Sequence, residues 1–137
     1  MPAEILEHCN TVEECYEFML AYAAQGHPSD QVSKSGAQIR EFLQRAATAI
    51  AALAEACPKV VKDERLEPAD KYHAFFAVLD RDARDSLAAI DLVLAQSSIS
   101  SQLVDNLNAS VHLRALLTDM FLLSDILRSQ VASRQIR

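Results

Sequence analysis

A chain that makes sheet or many tight turns needs glycine and proline to punctuate it, and this one has two glycines and four prolines in 137 residues. The remainder is rich in Ala, Leu, Gln, Glu and Arg, the residues that lose least on entering a helix. A few long helices are therefore what this chain can form. The punctuation falls at three places. Gln25, Gly26, His27 and Pro28 put a glycine where a helix can end left-handed and a proline where the next can begin. A charged run follows Cys57 from Pro58 to Pro68, and the serines at 97, 98, 100 and 101 offer hydroxyls that can cap a new helix.

Four helices are predicted between these points, over about 3–25, 29–57, 68–97 and 100–134. In the first, Ile5, Cys9, Val12, Tyr16, Met19 and Ala23 recur at alternating steps of four and three, which keeps them on one side. Thr11 and Glu14 form a competing capping box, but the stripe keeps its phase across them, so one continuous helix is favoured. The second buries Ile39, Phe42, Leu43, Ala46, Ile50, Leu53 and Cys57; Val32 extends its phase backwards, and Pro58 is expected to end it. The third turns Tyr72, Phe76, Leu79, Ala83, Leu87, Ile90 and Leu94 inward. Helices of this length, about 35–52 Å, pack lengthwise. The expected fold is all-α, an up-down-up-down antiparallel four-helix bundle forming one domain over 1–137.

The fourth segment carries more apolar surface than one core needs. At 100° per residue, Leu113, Leu116, Leu117, Met120, Phe121, Leu123, Leu127 and Val131 fill one arc, while Val104, Val111, Leu122 and Ile126 form a second, narrower stripe. Two apolar faces imply two packing partners. A homodimer through the fourth helix is expected, with Val104, Val111, Leu122 and Ile126 at its centre. Phe18 and Tyr22 lie to one side of the first helix's stripe and are expected to add to the contact.

Motifs of chemistry are wanting. No Glu-x-x-His occurs, so the carboxylate-bridged metal pair that some bundles hold has no ligand set, and Asp70-x-x-His73 offers two ligands where four or more are needed. Asp105, His112 and Asp119 recur at steps of seven along one edge; seven residues span about 10.5 Å, too far for one ion. Cys9 and Cys15 point about 120° apart and His8 sits roughly 10 Å from Cys15, which favours packed thiols, as for Cys57. There is no nucleophile elbow and no glycine-rich phosphate loop. No catalytic residue, metal or cofactor is expected, and no family resemblance is found.

Thirteen Lys and Arg against nineteen Asp and Glu give a net charge of −6, which disfavours nucleic acid. No apolar run reaches the ~18–20 residues of a membrane span, and three cysteines without a CxxC pair fit a reducing compartment, so a cytoplasmic protein is expected. The functional expectation is a non-enzymatic, self-associating helical interaction protein: an adaptor, chaperone or regulatory subunit. An alternative of another class is a ligand-binding or metal-assisted bundle with its site near His73, His112 and neighbouring aspartates.

Overall fold

The computed structural model describes residues 2–31 and 33–136, with side chains for 3–31 and 33–130. Val32 and the side chain of Val131, both used above, lie outside them, as do the side chains of Arg134 and Arg137. The described residues form five helices: α1 (Pro2–Ala24), α2 (Lys34–Asp63), α3 (Ala69–Leu94), α4 (Ser101–Ala109) and α5 (Val111–Ile136). The all-helical expectation stands. The expectation of four helices does not, because the fourth is divided.

α1 runs unbroken through Thr11, whose hydroxyl donates back to the Glu7 carbonyl at 3.1 Å and so caps nothing. Gly26 then takes a φ of +71°, the left-handed turn that suits glycine after a helix. Ser33 caps α2, accepting the Gly36 amide at 2.9 Å, so the helix starts later than residue 29. It also ends later than Pro58. Proline removes one N–H and crowds one carbonyl, but here it lies on the solvent side, and continuing the helix buries Val60 and Val61. The true end is a left-handed Arg65 (φ +50°), with the Leu66 amide donating to the Val61 carbonyl at 3.1 Å and the Leu66 side chain buried.

The break between α4 and α5 is made by Ser110. Its backbone is extended (φ −61°, ψ 143°). Its hydroxyl accepts the Leu113 amide at 3.3 Å, restarting the helix as an N-cap. Phase is lost across it. Val104 therefore points into the core at 0% exposure while Val111, seven residues on, is 69% exposed.

Neighbouring helices meet end to start. Phe18 of α1 stacks on Phe42 of α2 with centroids 4.0 Å apart, and Glu14 reaches Arg45 at 3.5 Å. Arg40, early in α2, donates to the Leu94 carbonyl at the end of α3. Ser86 of α3 donates to the His112 carbonyl at 2.9 Å, and Gln130 of α5 donates to the Tyr72 hydroxyl at 3.3 Å. The common core includes Ile5, Met19, Ile39, Leu43, Ile50, Leu53, Leu79, Ile90, Leu116 and Met120. Phe121, expected inward, is 54% exposed; it sits off the buried arc of Leu116, Met120, Leu123 and Leu127.

One end of the molecule is tied by its loops. Asp30, buried, accepts the Arg40 Nε–H at 2.8 Å and the Ile99 amide at 2.7 Å, while Arg40 also donates to the Leu94 and Gln96 carbonyls at 3.0 and 2.7 Å. Burial alone would raise the Asp30 carboxyl, but the Ile99 amide and Arg40 guanidinium together hold it below the ordinary carboxylate range. Gly36 lets this loop close: a Cβ there would lie 2.3 Å from the Asp30 carbonyl oxygen.

Candidate interaction face

Some of the large apolar side chains that the fold leaves exposed, Leu122 and Ile126 of α5 and Val78 of α3, stand along the seam where α5 lies on α3. Leu122 (51% exposed), Leu123 and Ile126 (36%) on α5 line an apolar groove of about 140 Å³ with Lys71, Tyr72 and Phe75 of α3. Their spacing explains this. At 100° per residue, Asp119, Leu122, Leu123 and Ile126 share the edge of α5 that faces α3, beside the buried arc. On α3, Phe75 and Val78 stand on the edge toward α5; Phe75 is half-buried and Val78 is 47% exposed.

Further along the same seam the chemistry turns acidic. Asp119 of α5 is 8% exposed, and its Oδ2 has no hydrogen-bond donor among the described residues. What faces it is the Asp82 carboxyl of α3. Burial first, then the Asp82 carboxyl as hydrogen-bond partner and like charge, push the Asp119 carboxyl up to about 7. Two carboxyls placed together are held by a hydrogen bond only while one keeps its proton. Nearer the Ser110 break, His112 Nδ1 stands 4.0 Å from Asp85 Oδ2, both about half exposed.

Of the six residues expected to form a partner surface, three are exposed to solvent. Val111, Leu122 and Ile126 are solvent-facing; Val104 is not, because the break at Ser110 turns it inward. Tyr22 is also corrected. It is fully buried, its hydroxyl donates to the Ile99 carbonyl at 2.6 Å, and its own carbonyl accepts the Ser101 hydroxyl, so it ties α1 to the start of α4. Phe18 is half-buried against Phe42 and belongs to the α1–α2 contact. The continuous edge of Asp105, His112 and Asp119 is likewise divided by the break. Sequence reasoning missed the α3 half of the face. Its signal is the step of four, three and four through Lys71, Phe75, Val78 and Asp82.

The histidines do not converge. His73 is exposed beside Ala54, Pro58 and Asp80 between α2 and α3, whereas His112 sits at Asp85 and Ser86, twelve or more residues along α3 and roughly 18 Å away. Among the described residues no group of three or more His, Cys, Asp or Glu is placed to hold a metal ion. Cys9, Cys15 and Cys57 are unpaired and buried, and burial pushes the Cys57 thiol up to about 12, away from nucleophilic use. A shallow groove of about 390 Å³ between α1 and α2 is floored by Ala49 and Ala52 and rimmed by His8, Thr11, Gln44 and Thr48. No helix among the described residues is long and apolar enough to cross a membrane. Comparison with protein-family models, with curated proteins and with solved structures gives no match.

Proposed function

We propose that this chain is a non-enzymatic, cytoplasmic interaction protein that self-associates through the α3–α5 face and serves as an adaptor, chaperone or regulatory subunit. In this reading α4 and α5 together form the fourth column of an up-down-up-down antiparallel bundle, and the kink at Ser110 leaves one edge of α5 free of the core. The observation that carries the proposal is the apolar groove formed by Tyr72, Phe75, Leu122, Leu123 and Ile126. Rows of large apolar side chains left in water mark docking surfaces more often than accident. Completing the burial of Leu122 and Ile126 supplies about 1 kcal/mol each, half or less of the full transfer value, and the aromatic rims add to it. The acidic net charge favours a protein partner over nucleic acid. Three buried, unpaired thiols suit a reducing compartment.

The test is Leu122→Glu combined with Ile126→Glu, followed by light scattering after gel filtration and by circular dichroism. Folded helical monomers from a self-associated wild type support the proposal. Unchanged mass in the double variant places association elsewhere, and lost helicity shows that these side chains serve the core.

A further inference from the structure

α3 carries a second stripe beside its core face. Lys71, Phe75, Val78, Asp82 and Asp85 follow one another at steps of four, three, four and three, the spacing that keeps residues along one helix edge. Lys71, Val78 and Asp85 are exposed and Phe75 and Asp82 are half-buried. The order is cation, two apolar side chains, then anions. α5 repeats the division: Leu122 and Ile126 lie beside Lys71 and Phe75, and Asp119 lies beside Asp82. The whole face is thus basic at one end, apolar in the middle and acidic at the other.

We infer that this face pairs with the same face of a second copy, α3 against α3 and antiparallel, about a two-fold axis between Phe76 and Ala77. Lys71 of each copy then meets Asp82 and Asp119 of the other, and Phe75 packs on Val78 across the axis. The inference rests on the self-association proposed above and gives it a register. Lys71 and Asp82 stand eleven residues apart, so each lies about 8 Å from that axis on opposite sides, and Phe75 and Val78 lie about 2 Å from it. A two-fold rotation exchanges the ends, so one cation-to-anion match becomes two. Two other registers fare worse. Parallel pairing sets Lys71 on Lys71 and Asp82 on Asp82; sliding the two antiparallel helices past each other by one heptad sets Phe75 on Asp85 and Val78 on Asp82.

Three proteins test this by sedimentation velocity over a concentration series, with circular dichroism on each: wild type, Lys71→Glu and Asp82→Lys. Each reversal alone sets like charges together at both ends and weakens the dimer at least about tenfold. Mixed with each other, the two variants form a heterodimer at least about tenfold tighter than either homodimer, because every end again pairs opposite charges. An independent readout uses wild type alone. Carbodiimide joins an amine and a carboxylate that touch, and Lys71 and Asp82 of one chain are about 16 Å apart. A Lys71 to Asp82 or Lys71 to Asp119 linkage found by mass spectrometry in the dimer band supports the pairing. A monomeric wild type overturns both this inference and the self-association beneath it. A wild-type dimer that ignores the single reversals, or variants that fail to pair when mixed, overturns the register alone.

Discussion

Asp119→Asn is expected to stabilise the fold above neutral pH and to do little near pH 4. In the folded chain the Asp119 carboxyl holds its proton up to about 7, because it is buried against Asp82, whereas in the unfolded chain it loses that proton near the ordinary Asp value of about 3.9. Between those values the folded state binds the extra proton, so this pair's contribution to stability is present below about 4 and is lost as the pH rises through about 7. Holding the proton across that interval, at about 1.4 kcal/mol for each step of one in pH, sets a ceiling of about 4 kcal/mol. Asp82 is half-buried and screened by water, so about 1–3 kcal/mol is expected. Asparagine keeps the shape, removes the charge and offers an N–H to Asp82. For a chain of this length the gain is roughly 3–9 °C in Tm at pH 8, falling toward zero near pH 4.5. Thermal melts of both proteins across that range, at the lowest workable concentration so that association contributes least, read it directly. A variant less stable than wild type at pH 8, or one whose offset is the same at both ends of the range, refutes the argument.

Two further perturbations probe the tied end. Arg40→Ala leaves the Asp30 carboxylate buried beside an Ile99 amide and strips the donors from the Leu94 and Gln96 carbonyls. A loss of about 3–5 kcal/mol is expected in urea unfolding. The wild-type contribution of Asp30 is present above its unfolded value and disappears as acid brings the pH down through its depressed folded value, so the deficit of the variant narrows at low pH. Gly36→Ala drives a methyl to 2.3 Å from the Asp30 carbonyl oxygen, and the loop must move away. Alanine ordinarily favours a helix by up to about 1 kcal/mol over glycine, so a net destabilisation in the same assay identifies the close approach as the reason for the glycine.

How far the fold is legible in the sequence varies by element, and the reasons are physical. Periodicity reports which side chains avoid water, and it places Ile5, Cys9, Val12 and Met19 of α1 and Phe76, Leu79, Ala83 and Ile90 of α3 in the core, where they lie. It does not report whether a helix tolerates a proline. Pro58 lies toward solvent with Val60 and Val61 buried just beyond, and that burial outweighs one lost hydrogen bond. The Ser110 break is weakly written: a serine after Asn108 and Ala109 looks like any poor helix former until its hydroxyl is seen capping Leu113. Without that break Val104 falls on the wrong side. Tyr22 misleads for another reason, since its hydroxyl is satisfied by a carbonyl 77 residues away and no local pattern reveals that. The Asp30 to Ile99 bond spans 69 residues and is equally invisible. Of the candidate face, the α5 half is legible in Leu122 and Ile126. The α3 half is obscured because Phe75 groups with the core aromatics, and Asp82 becomes informative only when α5 brings Asp119 against it.

Sedimentation equilibrium of the wild-type chain across a wide concentration range tests the central claim most directly. The α3–α5 face predicts a mass that rises from one chain to two and stops there, since a two-fold contact uses the face up. A mass that stays at one chain to the highest concentration reached, or that climbs past two without a plateau, contradicts it.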